Sequence, residues 1–261
     1  MAINKKYIVG IDIGGSKINA VIFYDGKVFK KAKIQTPQKN RDYFLEALEA
    51  LVIKLIRDLG DKKISGIGCG VAGVLDLKSG IILNAPNLQF LNNFNIKNWL
   101  SKKFNCDVKI DNDARCFTRG EFLFGAGKGY KNIVGITLGT GIGGGIIING
   151  KMFYGASSAA GELGHMMMSF DKDWEFFAIK QTKNLEKYLG IGLANIVNIL
   201  DPEIIIFGGG AAHMLKSLLA EAKKIMNKFI ISPKSKKNVK ILFGKLGENA
   251  GAIGAAALFY E

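Results

Sequence analysis

The stretch YIVGIDIGGSKINAVIF, residues 7–23, decides the fold of this chain. Apolar residues dominate 7–13 and 18–23, which predicts two buried β-strands. Between them, Gly-Gly-Ser-Lys (14–17) forms a short loop in which backbone N–H groups can approach phosphate oxygens closely. The order differs from the G-K-[ST] ending of a P-loop, and a strand follows where a P-loop needs a helix. The stretch therefore predicts a phosphate-binding loop within a β-hairpin.

Two more glycine clusters follow strand-like runs, GTGIGGG at 139–145 and GGG at 208–210. The dinucleotide-binding pattern G-x-G-x-x-G occurs at 68–73 and at 139–144, but neither copy opens a helix, which that fingerprint requires. A single glycine loop is more often a tight turn. Three such loops at strand ends favour phosphate binding.

The rest of the chain alternates between strand and helix patterns. After the first hairpin come a third strand, a helix over 40–59 and another strand, and a related order begins again after Asp113. The second half includes a helix over 185–200 and a basic amphipathic helix from Ala211 to about Ile230. We therefore expect an α/β fold of two lobes, 1–113 with 250–261, and 114–249.

The amino-acid composition indicates which classes of partner, nucleic acid or membrane, this chain is expected to lack. The chain has 261 residues and a net charge of +14, yet only four of its 36 basic residues are Arg, the usual reader of bases. The lysines are scattered, and their densest run, SPKSKKNVK (232–240), has a loop-like composition. We expect no nucleic-acid partner. Apolar runs fall short of the ~20 residues of a membrane span. The beginning of the chain has no signal-peptide pattern. The three cysteines have no CxxC spacing, so a cytoplasmic protein is expected.

The sequence IDNDA (110–114) places two polar residues at the end of a strand, just before a helix. Phosphoryl transfer to a hydroxyl needs a carboxylate to accept the proton, and Asp113 is a candidate for that general base. The alternative is that Asp113 caps the helix that begins at 114, a position that Asp and Asn favour. The local pattern alone leaves both open.

The chain resembles the ROK family (repressors, open reading frames and sugar kinases) over nearly its whole length. The resemblance lies in the segment from Leu138 to His165 and in motifs that match in order: GIDIGGSKINAVIF, GVAGVLD, LNAPNL, IDNDA, NILDPEIIIFGGG and GAIGAAAL. It implies an actin-like, ribonuclease H-like fold with ATP and a sugar in the cleft between the lobes.

The resemblance also implies roles for particular residues. Asp113 would be the catalytic base, and Asp12 would hold Mg²⁺, directly or through water. Sugar contacts would come from Gly73, Asn87, Asn112, Asp113, Glu162, His165 and Glu175. Phosphate contacts would come from Gly14, Gly15, Ser16, Lys17, Gly139, Thr140 and Gly141, with Gly208 and Gly209 near the nucleoside.

The segment GELGHMMMSFDKDWEFFAI (161–179) departs from the family. Most members carry a cysteine-rich zinc loop there, in which His and three Cys bind a structural zinc. This chain has no Cys after Cys116, so we expect no zinc. We expect packing by Met166, Met167, Met168, Trp174 and Phe176 to support His165 and Glu175 instead. Glu175 could alternatively be a surface helix residue. The chain also looks shortened between Ala178 and 185, which leaves its oligomeric state open, with a homodimer as one option.

The leading expectation is an ATP-dependent hexose kinase, with glucose as the first substrate. N-acetylmannosamine is the main alternative, and fructose and allose follow. Repressors of the family carry a DNA-binding module before the first phosphate loop, and here that loop's strand begins at Tyr7, so a repressor is not expected. The retained Asp113 speaks against a sugar-binding protein without activity.

Overall fold

The computed structural model describes residues 6–57, 59–176 and 184–260. Its first large sheet contains the strands β1 (Tyr7–Ile13), β2 (Lys17–Tyr24), β3 (Lys27–Gln35), β4 (Ile64–Val71) and β8 (Val108–Asn112). Their order in the sheet is β3-β2-β1-β4-β8. Strands β1 and β2 are antiparallel and joined by the loop 14–17, whereas β1, β4 and β8 are parallel to one another. The predicted glycine loop within a hairpin is confirmed.

The second large sheet repeats the plan of the first. Its strands are β9 (Ile133–Leu138), β10 (Ile142–Ile148), β11 (Lys151–Met152), β12 (Ile204–Gly208) and β13 (Lys240–Phe243). Their order is β11-β10-β9-β12-β13, with an antiparallel hairpin β9–β10 and parallel β9, β12 and β13. The repeat predicted from the sequence is therefore present. A small antiparallel sheet is inserted after β4 and contains β5 (Val74–Asp76), β6 (Ile81–Asn84) and β7 (Phe94–Asn95).

Helices cover both sheets. They are α1 (Arg41–Arg57), α2 (Ile96–Phe104), α3 (Asp113–Phe124), α4 (Leu185–Leu200), α5 (Leu219–Phe229), α6 (Pro233–Asn238) and α7 (Ala250–Ala256). Apolar side chains of α1 join the core of the first sheet, and those of α4 and α5 join the core of the second. Within the described residues, no helix is long and apolar enough to cross a membrane.

One helix prediction and one loop prediction were wrong in the second half. The helix expected from Ala211 to Ile230 is interrupted: a 3₁₀ turn at Ala212–Leu215 precedes α5, and the Ser217 hydroxyl bonds to the Met214 carbonyl 3.3 Å away, as serines that compete with helical bonding do. The lysine-rich run at 232–240, expected as a loop, contains α6. Ser232 caps that helix by accepting from the Ser235 N–H, and proline occupies its first turn.

Helices α3 and α7 cross between the two sheets. Helix α7 packs against β1 and β4, whereas α3 packs against β9 and β10. At the crossing, a Cβ on Gly254 would collide with the Cys116 carbonyl, so only glycine allows this close approach. The lobe boundaries, 1–113 with 250–261 and 114–249, stay a prediction.

Candidate active site

The carboxyl ends of three parallel strands bring the predicted acidic residues together. In the strand register Asp12 lies beside Gly70, and Gly70 lies beside Asp111. The residues that follow β8 therefore lie at the same edge of the sheet as the carboxyl end of β1. Ligands of open α/β sheets bind outside such carboxyl ends. This edge is where Asp12 and Asp113 meet, close enough for the charge of Asp113 to raise the pKa of Asp12.

Asp113 is the first residue of α3, but it is not the cap. The cap is Asn112, whose Oδ1 accepts from the N–H groups of Ala114 and Arg115 at 3.0 and 3.2 Å. The capping alternative for Asp113 is therefore wrong. Burial raises the pKa of Asp113 to about 6; nearby Glu162 adds to this rise, while local N–H groups and Arg115 oppose it.

Asn112 and Gly73, two of the predicted sugar contacts, bind each other. The Asn112 Nδ2 donates to the Gly73 carbonyl at 3.1 Å. Gly73 has φ of +151°, a conformation that disfavours other residues. Because its Oδ1 already caps α3, Asn112 can offer a ligand only its remaining amide hydrogen. Its main observed effect is to fix the positions of Asp113 and of the loop after β4.

Asp12 fits the environment of a bound cation. Burial and the charge of Asp113 raise its pKa to about 7, and a hydrogen bond from Asn19 opposes that rise. Two repelling carboxyl groups are stabilised when a divalent cation lies beside them. Mg²⁺ commonly takes one or two protein carboxylates and completes its shell with water and phosphate. Among the described residues, no three His, Cys, Asp or Glu side chains cluster to hold a metal on their own.

The loop 14–17 is fixed from one side by residues that follow β3. Thr36 Oγ1 donates to the Gly14 carbonyl at 2.7 Å, and Gln38 Nε2 donates to the Gly15 carbonyl at 2.6 Å. The Ser16 and Lys17 side chains remain exposed. The loop is thus rigidly placed, with polar side chains available to an anion.

Asn87 lies between the two glycine loops, 14–17 and 139–141. Its Nδ2 donates to Thr140 Oγ1 at 3.4 Å, and a Cβ on Gly15 would lie 2.7 Å from the Asn87 Cβ. Asn87 was predicted to contact sugar, and that role stays a prediction. The structure brings it against the predicted phosphate contacts Gly15 and Thr140.

The remaining predicted phosphate and nucleoside contacts surround the end of β9. Gly139 and Gly141 form the tip of the β9–β10 hairpin, where the Gly139 N–H donates to the Gly141 carbonyl at 3.0 Å. Gly208 ends β12, Gly209 packs against the Leu138 backbone, and the Ala211 N–H donates to the Leu138 carbonyl at 3.0 Å. These glycines therefore share one face of the second lobe.

The segment that begins at Gly161 presents Glu162 beside Asp113 and leaves His165 exposed. Glu162 raises the pKa of Asp113, so the two carboxylates are neighbours. His165 Nδ1 lies 3.2 Å from Asp173 Oδ2. Glu175 lies against the second glycine loop, where its Oε2 accepts from the Ile142 N–H at 2.9 Å, and its predicted sugar contact stays a prediction. The partner of His165 is thus Asp173, and Glu175 supports the hairpin tip.

Apolar packing supports this segment in part. Trp174 is buried, and its Nε1 donates to the Tyr188 carbonyl at 3.1 Å. Met166 and Met168 pack against the core of the second lobe. The expectation was wrong for Met167, whose side chain is exposed. The predicted shortening after Ala178 falls mostly on 177–183, which lies outside the described residues.

The family model described as ROK family matches residues 8–175 and 175–261. The chain belongs to the ROK family. Among curated ROK proteins, a glucokinase from Halalkalibacterium halodurans is 28% identical over 97% of this chain and 94% of its own length. A xylose repressor from Caldicellulosiruptor bescii is also 28% identical, over 96% of this chain and 77% of its own length.

A solved ROK glucokinase from Streptomyces griseus, in complex with glucose and AMPPNP, matches with a TM-score of 0.84 and 27% identity. The match covers 97% of this chain and 98% of that one. The two-lobe, actin-like α/β fold is thereby confirmed. The alignment with the H. halodurans protein runs over 321 positions, whereas this chain has 261 residues, so that relative contains internal segments that this chain lacks.

One buried charge cluster of this ROK protein was missed from the sequence. Asp111 accepts from Arg115 Nε at 2.7 Å, from Arg119 Nη1 at 2.9 Å and from the Tyr154 hydroxyl at 3.1 Å. Arg115 also donates to the Ser158 carbonyl at 2.9 Å, which ties α3 to the chain segment that leads to Glu162. The available signal was the i, i+4, i+8 spacing of an Asp and two arginines in a chain whose basic residues are mostly lysine.

Proposed function

We propose that this protein is an ATP-dependent hexose kinase in which Asp113 is the general base. The observation that carries the proposal is the state of Asp113: its carboxyl group is not used as a helix cap, and its pKa is raised to about 6. A base of this kind is ionised at neutral pH, yet accepts a proton more readily than an ordinary aspartate.

The neighbouring residues suit the transfer of a phosphoryl group to a sugar. Glu162 and His165 would bind sugar hydroxyls and direct one of them toward Asp113, which would take its proton. The loops 14–17 and 139–141 would hold the phosphates between the lobes, with Gly208 and Gly209 near the nucleoside. Asp12 would hold Mg²⁺, which neutralises charge on the phosphates when it is bound. The raised pKa of Asp12 supports this assignment.

The two glucokinases that match nearly the full chain support glucose as the first substrate to test. N-acetylmannosamine is the main alternative, and fructose and allose follow. The contacts in the cleft do not distinguish these sugars, because Glu162, His165 and Asp113 address hydroxyls that hexoses share. Assembly as a homodimer also stays a prediction.

A coupled ADP-release assay tests the proposal. Purified protein with ATP and Mg²⁺ is offered glucose, N-acetylmannosamine, N-acetylglucosamine, mannose, fructose, allose and xylose, with Asp113→Asn as the control. We expect sugar-dependent ADP release from the wild type and almost none from the variant. Full activity in Asp113→Asn would refute the base assignment, and silence with every sugar would refute the kinase assignment.

The xylose repressor relative favours a second candidate, a sugar-binding protein without catalysis. Calorimetric titration of the same sugars separates the two candidates. A kinase releases ADP with a sugar that it binds. Sugar binding without ADP release would support the second candidate instead.

A further inference from the structure

The side chains of His165 and Asp173 are in contact at the rim of the candidate site. Asp173 Oδ2 lies 3.2 Å from His165 Nδ1, and Asp173 Oδ1 accepts from the Phe176 N–H at 2.9 Å. One oxygen thus anchors the carboxylate to the backbone while the other meets the imidazole. Because the His165 side chain is 66% exposed, the pair adds little to stability. Its effect is on the orientation and proton position of the ring.

The backbone around this pair is well anchored. Met167 and Asp173 face each other in a β-bridge, and the Trp174 N–H donates to the Met166 carbonyl at 2.7 Å. The Trp174 indole is buried against Gly192 of α4, where a Cβ would collide with the ring. Asp173 is therefore held between a paired strand segment and a buried aromatic anchor. A carboxylate fixed in this way can hold the imidazole of its histidine partner in one orientation, with the ring proton on the nitrogen that faces the carboxylate.

We propose that Asp173 is a positioning residue that holds the neutral His165 ring with its proton on Nδ1, so that Nε2 accepts a hydrogen bond from a sugar hydroxyl. The inference rests on the proposed function, in which His165 contacts the sugar. A metal bound at Nδ1 would leave the proton on Nε2 and make that nitrogen a donor. With the proton on Nδ1 instead, Nε2 is an acceptor, and the site prefers a sugar hydroxyl whose O–H points toward Nε2.

Nitrogen NMR on the unliganded protein tests the proton position directly. The chain contains two histidines, so ¹⁵N-histidine labelling gives two ring systems, and a His213→Gln variant assigns them. The spectra are recorded at about pH 8, above the ordinary histidine pKa of about 6.5. We expect a pyrrole-type signal for Nδ1 of His165 and a pyridine-type signal for Nε2. A wild-type ring with its proton on Nε2 would overturn the proposal, whatever the kinase assay shows.

Asp173→Asn tests the cause. The amide keeps the size of the side chain and its oxygen can still accept from Phe176, but its NH₂ group can now donate to Nδ1. We expect the proton of His165 to move to Nε2 and KM for the sugar to rise about tenfold, with a smaller change in kcat. Asp171→Asn, two residues away on an exposed side chain, is the matched control and should change neither quantity.

The outcomes separate this inference from the proposed function. An unchanged tautomer and unchanged KM in Asp173→Asn would refute the role of Asp173 while leaving the kinase intact. If no sugar is turned over, the kinase proposal fails, and the tautomers of the wild type and Asp173→Asn still decide whether Asp173 sets the proton position. If Asp173→Asn does not fold, Asp173→Glu and the wild-type spectrum carry the test, with a retained Nδ1 proton expected in both.

Discussion

Asp111 and Asp113 lie two residues apart at the junction of β8 and α3, yet they occupy opposite environments. Asp111 is fully buried and meets two arginines and a tyrosine hydroxyl. Asp113 faces the cleft, near Glu162 and Asp12, which are both acidic. The chain thus compensates the charge of one aspartate and leaves the other among like charges.

The difference shows that neighbouring residues of the motif 110–114 have different functions, one in the stability of the fold and one in the proposed chemistry. Asn112, between the two aspartates, is the residue that caps α3, so Asp113 does not occupy the capping position. The bonds of Asp111 to Arg115 and Arg119 fix the first turns of the same helix against the end of β8. Asp113 can therefore keep a raised pKa in a position that its neighbours define, which suits its proposed role as general base.

The largest expected effect comes from Asp113→Asn. Loss of the proposed general base should lower kcat by about 10³-fold, which corresponds to about 4 kcal/mol of barrier. The melting temperature should not fall, because the variant removes a charge that burial disfavours. Steady-state ADP release and thermal unfolding of the same preparation measure both. A variant that loses activity together with stability would contradict the separation of the two aspartates.

Asp111→Asn should show the reverse pattern, since it leaves two buried arginines without their shared countercharge. We expect a loss of about 3 kcal/mol in the free energy of unfolding and a fall of about 9 °C in melting temperature. Urea denaturation and thermal melts measure these changes. Glu49→Gln, which removes a surface ion pair to Lys103, is the control and should cost under about 1 kcal/mol. Equal effects of the two variants would mean that burial of the cluster does not matter.

The pH dependence of the reaction should follow Asp113. Because the base acts only when ionised, kcat/KM should fall about tenfold per unit as the pH drops below its pKa of about 6. The residual activity of Asp113→Asn should lack this acid limb. A wild-type profile that stays level down to about pH 4, the ordinary range for aspartate, would argue against the raised pKa.

Asp12→Asn should give the smallest effect, a gain in stability that depends on pH. The folded protein holds a proton on Asp12 up to about pH 7, whereas the unfolded chain releases it near 3.8, so stability falls as the pH rises between these values. At about pH 8, without ligands, the variant should melt about 3 °C higher than the wild type, a gain of about 1 kcal/mol. At about pH 4 the two should coincide. Asp61→Asn, on an exposed residue, should show no such difference.

Much of the fold followed from local patterns. The apolar strands around the loop 14–17 and the repeated plan of the second half were predictable, because burial imposes period and composition directly on the sequence. The interruption before α5 and the short helix at 233–238 were not. Both depend on single side chains, Ser217 and Ser232, whose hydrogen bonds override the average character of the segment.

The candidate site was predictable as a set of residues, but not as a set of contacts. The motif that contains Asn112 and Asp113 left open which of them caps α3, because both residue types favour that position. Asp173 was overlooked as the partner of His165, since pairing across a tight turn depends on how Trp174 is anchored by α4. The Arg115 and Arg119 cluster was missed because a buried countercharge is visible only once Asp111 is known to face the helix.

The crossing of α3 and α7 has a consequence for biosynthesis. Helix α7 is built from residues 250–256, yet it covers β1 and β4, which leave the ribosome more than 170 residues earlier. Until then, the glycine-lined face around Gly10 and Gly68 has no covering helix, because those glycines are shaped to receive Ala252 and Ala255. That face of the first sheet therefore stays without its covering helix until residues 250–256 have been synthesised.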